Sequence, residues 1–159
     1  VVFAFFNGKI NTWGNMGRIV WRDQMALGIR EIDEDHRALV DLINRLDDLA
    51  AAKRLDEAQL ADCLRNLIRY TRDHFEREER LMISARFPGF EKHRDSHQAF
   101  GNAILDQAER FVTTPNGTTA RDIHGILADW VLQHVLKADR DIVPHLGPRL
   151  PVNPVRWNP

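Results

Sequence analysis

The segment His74-Phe75-Glu76-Arg77-Glu78-Glu79 decides how this chain is read. His74 and Glu78 stand four residues apart, the interval that puts two side chains on one face of a helix. The same inward row carries Leu60, Leu64, Leu67, Thr71 and Leu81, with Met82 beside it, and a soluble helix turns such a stripe toward its core. A histidine and a carboxylate are therefore expected to point inward. Burying an ionised carboxylate is costly without a partner, so a cation, an ion pair or a hydrogen-bond network must receive Glu78. Glu76, Arg77, Glu79 and Arg80 fall elsewhere and are expected to form a solvated face with i,i+4 pairing.

Outward from this segment, helical spacing runs from about Asp56 to Ala85, and Phe87-Pro88-Gly89 stops it. Upstream, a helix is expected from Asp33, with Asp33 as N-cap, Glu34 and Asp35 in the first turn, and His36, Leu39, Val40, Ile43, Leu46 and Ala50 on its stripe. Downstream, Glu91 to Val112 places His93, His97, Phe100, Ile104 and Phe111 on one face before the turn Thr113-Thr114-Pro115-Asn116-Gly117. A fourth segment begins near Thr119, carries Ile123, Leu127, Trp130, His134 and Ala138, and stops at Pro144. Four helices of roughly 18 to 30 residues with short connections are the signature of an all-α, antiparallel up-down-up-down four-helix bundle. The expected organisation is an irregular N-terminal extension over 1–20, the bundle over 21–146, and an extended, proline-rich C-terminal tail over 147–159.

A chain of 159 residues closes one core without disulfides, and its one cysteine, Cys63, permits no internal disulfide. Cys63 sits among Leu60, Leu64 and Leu67 as a small buried hydrophobe, consistent with a reducing, cytoplasmic setting. With 22 basic and 23 acidic residues the net charge is -1, which leaves no electrostatic footprint for nucleic acid or an anionic membrane. The apolar run Val1 to Phe6 is far shorter than the ~20 residues that span a bilayer. No membrane insertion is expected, and function must come from a local site.

The four stripes together offer His36, His74, His93, His97 and His134, with the carboxylates Glu78 and Asp139. One inward histidine is ordinarily a hydrogen-bonded core residue. Five at matched spacings, with two anions among them, point instead to a shared cation of high total charge, best met by two divalent metals. These side chains overfill a tetrahedral zinc but supply two ions of higher coordination if both carboxylates bridge, and the lack of cysteine on the stripes favours iron or manganese. The step from His134 to Asp139 is five residues, more than a helix of 3.6 per turn closes. A local bulge or a long side-chain reach is required there, and such bulges occur at functional sites. His124 and His145 lie off the pattern and are expected at the surface.

These stretches resemble the hemerythrins, in particular the bacterial hemerythrin-like domains. Trp21 with Leu27-Gly28-Ile29 and Ile32-Asp33-Glu34-Asp35-His36 is similar to the family's N-terminal loop and first ligand, and His74-Phe75-x-x-Glu78-Glu79-x-Leu81-Met82 to its central signature. His93-x-x-x-His97-x-x-Phe100 and Trp130-x-x-x-His134-x-x-x-x-Asp139 complete the set, and the resemblance covers about Trp21 to His145. It implies a nonheme diiron centre with an oxo or hydroxo bridge, in which Glu78 and Asp139 span both irons. His93, His97 and His134 would complete one iron, and His36 with His74 the other, whose open position would take dioxygen. Small anions and nitric oxide are further candidate ligands.

The resemblance implies reversible oxygen binding, as carrier, store or sensor, rather than an enzyme. Neutral imidazoles stabilise highly oxidised iron less than a carboxylate-rich shell does, which points the same way. The alternatives are a diiron reductase of peroxide or nitric oxide, and an oxygen-responsive signalling module. Phe75, Phe100, Leu127, Trp130 and Val131 are candidate pocket residues, with simple core packing an equally good account of the apolar ones. Val131 follows the fourth-helix tryptophan where the family commonly has leucine, and Ile142 replaces a common tyrosine. If Val131 lines the pocket, the extra room should speed autoxidation relative to Val131→Leu.

Overall fold

Four amphipathic stretches become four helices: α1 spans Arg30–Ala51, α2 Glu57–Ser84, α3 Phe90–Thr113 and α4 Gly117–Gln133. The computed structural model describes residues 18–54, 56–113 and 117–147, and among these there is no strand. The expected tail beyond Gly147 and most of the N-terminal extension lie outside the described residues. Asp56 caps α2 by accepting the Gln59 N–H at 3.0 Å, a device that satisfies one of the free amides at a helix start. At the other end Arg86 turns left-handed, with φ 51°. A Cβ on Gly89 would meet the Phe87 ring at 2.7 Å, so glycine lets that ring fold over the turn into α3.

The first helix departs from expectation. It begins at Arg30 rather than after Asp33, and Ile29 is its N-cap without a side-chain bond. Asp33 is buried instead, and accepts the backbone N–H groups of Leu27 at 2.7 Å and Gly28 at 3.0 Å. The acid therefore captures the loop that enters the helix, because those amides have no helical partner. Further upstream, Asn44 on α1 accepts the Ile19 N–H at 2.8 Å and donates to its carbonyl at 2.9 Å. Arg18 pairs with Asp48, and Arg37 lies over the Trp21 ring. Residues 18–29 thus run back along α1, anchored at both ends.

Each helix packs on its sequence neighbour, and α4 closes against α1. From Leu42 with Cys63 to Asp35 with Arg77, from Phe100 with Phe75 to His97 with Glu79, and from Phe100 with Trp130 to His97 with His134, contacts that move toward the start of one helix move toward the end of its neighbour, which makes the bundle antiparallel. One half of the core is apolar, built on Ile43, Leu46, Leu60, Leu64, Leu67, Ile104, Ile123 and Leu127. Full burial of such side chains contributes about 1.5–3 kcal/mol each. The other half holds the inward polar residues.

The fourth helix buries a wider face than its single stripe implies. Ala120, His124, Ala128 and Val131 are buried alongside Ile123 and Leu127. His124, expected at the surface, is 4% exposed, because α4 packs against both α1 and α3 and these cover a second row of positions. His145 is exposed as expected. No helix among the described residues is long and apolar enough to cross a membrane.

Candidate metal centre

Each helix delivers its polar residues to the same level of the bundle. His36 comes from the first turns of α1, His74 and Glu78 from α2, and His93 and His97 from the start of α3. The awkward fifth step is resolved locally, since α4 gives way at His134–Ala138 to a π-helical turn, in which the Asp139 N–H bonds to the His134 carbonyl. An i→i+5 bond widens the turn so that a five-residue step brings both side chains to one side. Of the two expected devices, the bulge is present.

All five imidazoles offer Nε2 to the two carboxylates. Glu78 Oε2 lies 3.1 Å from His97, 3.4 Å from His93, and 4.0 Å from both His74 and His134. Asp139 divides its oxygens: Oδ1 is 3.0 Å from His134 and 3.5 Å from His93, while Oδ2 is 3.3 Å from His36. Two groups of potential ligands result, Glu78 with His93, His97 and His134, and Glu78 with His36 and His74. Asp139 faces both.

The Nε2 atoms of His93, His97 and His134 form a triangle with sides of 3.1, 3.0 and 2.9 Å. An imidazole nitrogen either donates or accepts, so around three such atoms at least one contact must set like against like. Protons alone cannot satisfy the triangle. A cation held by the three nitrogens together would.

Electrostatics agree. Burial and the Asp139 charge both push the Glu78 carboxyl up, but the contacts of His93 and His97 outweigh them and hold it below its usual range. Burial likewise opposes ionisation of Asp139, yet His134 and His36 keep it well below the ordinary carboxylate value. Burial would lower His36 and His93, and the facing carboxylates reverse the sign and raise both. For His97 burial prevails and its pKa falls, with His134 and His93 adding to the effect. Both oxygens of Glu78, both of Asp139 and both ring nitrogens of His36 are buried without a hydrogen-bond partner among the described residues. Such groups cost about 1–3 kcal/mol each when left unsatisfied, and more when charged, so the donor set fits a bound cation.

A second ring of residues surrounds these side chains, and two of its members, Arg77 and Glu79, were expected on a solvated face. Glu79 is not merely solvated: its Oε1 lies 3.1 Å from His97 Nδ1. Arg77 reaches across to α1 and grips Asp35 through Nε at 2.6 Å and Nη2 at 2.9 Å, and Tyr70 donates to the same carboxylate at 3.1 Å. Burial alone would raise Asp35, but the nearby His74 and the hydrogen bonds from Arg77 hold it at about 2. A signal was readable: Tyr70, His74 and Arg77 are spaced four and three apart on one helix face. Of the candidate pocket residues, Phe75 stacks on His97 at 3.8 Å and Trp130 on His134 at 4.0 Å, with Phe100 stacked behind Trp130 at 3.9 Å. Leu127 and Val131 are buried in the apolar cluster.

An antiparallel bundle whose core gathers histidines and shared carboxylates from all four helical segments is a metal-binding helical bundle. Residues 27–146 match the Hemerythrin HHE cation binding domain. The chain belongs to the hemerythrin family. A bacteriohemerythrin of Pseudomonas aeruginosa (strain UCBPP-PA14) is 30% identical over 128 residues, covering 80% of this chain and 81% of that protein. A myohemerythrin of Riftia pachyptila is 36% identical over 81 residues, which are 51% of this chain and 61% of that protein. A crystal structure of wild-type hemerythrin superposes with a TM-score of 0.70 at 25% identity, covering 80% of this chain and 97% of that one.

Proposed function

We propose that the chain binds dioxygen reversibly at two iron ions held in the polar half of its core. The observation that carries this reading is the buried array itself, in a member of the hemerythrin family: five Nε2 atoms converge on two carboxylates whose oxygens no hydrogen bond satisfies among the described residues. His93, His97 and His134 would hold one ion and His36 with His74 the other, with Glu78 and Asp139 shared. The second group has one imidazole fewer, which leaves room for a small exogenous ligand. Bound iron would supply the electrons that dioxygen takes up and returns.

The surrounding side chains favour release over turnover. Neutral imidazoles bring no added negative charge to the ions, so strongly oxidised states are less stabilised than among carboxylates. Phe75 and Trp130 lie flat on His97 and His134, fixing those ring planes and excluding water from that side. Val131, Leu127 and Phe100 extend the apolar wall. The test is repeated cycling of reduced, iron-loaded protein between air and argon. Oxygen uptake and release over several cycles is the expected result. Consumption of peroxide or nitric oxide far faster than autoxidation would replace the binding reading with an enzymatic one.

A further inference from the structure

Asp35 lies outside the proposed ligand set, yet it is only 6% exposed. Arg77 holds it with two hydrogen bonds and Tyr70 with a third. Its Oδ2 faces His74 Nδ1 at 3.5 Å, and that nitrogen is buried without a hydrogen-bond partner among the described residues, which leaves this carboxylate as the group it faces. An ionised carboxylate only accepts hydrogen bonds. Of the two neutral tautomers, the Nδ1–H form sets a donor rather than a lone pair against this carboxylate, and leaves the lone pair on Nε2, the atom directed at Glu78.

We propose that Asp35 is the positioning residue for His74: it fixes the ring as the Nδ1–H tautomer with Nε2 free for a metal, and Arg77 sets how much negative charge reaches that ring. The inference rests on the diiron reading for its consequences, while the tautomer is a property of the chain alone. Metal-ligating histidines ordinarily donate their second nitrogen to such an acceptor, which orients the ring and raises its basicity. On the other side of the centre, Glu79 faces His97 Nδ1 from a more exposed position, 26% accessible at its side chain. The two groups of ligands are thus differently supported, with the buried, arginine-compensated carboxylate behind His74.

A purely structural Asp35–Arg77 pair, tying α1 to α2, would leave both the tautomer and the redox behaviour unmoved. The discriminating experiment uses the full chain with Asp35→Asn, which keeps size and an acceptor oxygen but removes the charge, and Arg77→Gln, which leaves the Asp35 charge uncompensated. Iron affinity should fall about 10- to 100-fold in Asp35→Asn. The reduction potential of the loaded protein should rise in Asp35→Asn and fall in Arg77→Gln, because a more basic ligand stabilises the oxidised metal. Nitrogen-15 NMR of the iron-free wild type should show His74 protonated at Nδ1. A His74 protonated at Nε2, or potentials that shift in the same direction or stay put, would overturn the proposal. Failure of the wild type to bind iron would instead sink the diiron reading, and the NMR result would still decide the tautomer.

Discussion

Along the same four helices, two halves of one core are sealed from water to the same degree and built from opposite chemistry. Leu60 and Leu67 are 0% exposed, and so are Glu78 and Asp139. In the first half, burial is its own reward, since leucine and isoleucine lose nothing by leaving water. In the second, burial leaves carboxylate oxygens and imidazole nitrogens without hydrogen-bond partners among the described residues, a deficit that a bound cation would make good. The apolar half drives folding by burial alone, whereas the polar half would tie the stability of the bundle to what it binds.

That contrast can be broken at the polar end first. Glu78→Ala removes the carboxylate that belongs to both groups of ligands, and should abolish iron binding. With metal present a thousandfold above its Kd, the wild type should be about 4 kcal/mol more stable than after chelation. Denaturant unfolding with and without chelator should show this shift in the wild type and none in the variant. At the apolar end, Leu67→Ala should cost about 2–5 kcal/mol through lost burial and a cavity. Its iron stoichiometry, measured by metal analysis, should be unchanged, and so should its stabilisation by iron. If Leu67→Ala also lost its iron, the two halves would not be separable in this way.

Smaller effects sharpen the picture. Asn44→Ala leaves the Ile19 amide without its acceptor at a buried position, and should cost about 1–3 kcal/mol. Hydrogen exchange should localise the loosening to residues 18–29 rather than to the centre. The smallest effect concerns His124, which lies ten positions before His134. Burial lowers its pKa below the usual 6.5, only partly offset by the Asp47 charge. The unfolded chain then takes up this proton first as pH falls, so the contribution of His124 is full above about pH 6.5 and is lost as pH drops through its folded value. Iron-loaded His124→Gln should lose stability less steeply than the wild type over that interval, as urea midpoints at several pH values will show.

The apolar stripes made the bundle legible, because the period of a helix is written directly in Leu60, Leu64 and Leu67 or in Ile123 and Leu127. The inward polar residues stood out for the same reason, and even the bulge at His134 followed from a step that an α-helix cannot close. What escaped was set by packing between helices rather than by spacing within one. Arg77 and Glu79 looked like solvated charges on their own helix, and only the approach of α1 and α3 gives them Asp35 and His97 as partners. His124 looked exposed because one stripe was assigned to a helix that buries two rows. Asp33 looked like a cap because its place at a helix start is the same, although the amides it satisfies belong to the preceding loop.

The most direct measurement is metal analysis of the anaerobically iron-loaded protein, joined to its visible spectrum before and after exposure to air. Two irons per chain, with an absorption band that appears in air and disappears under argon, is the result expected of the proposed centre. A single zinc, or no iron retained after loading, would contradict it.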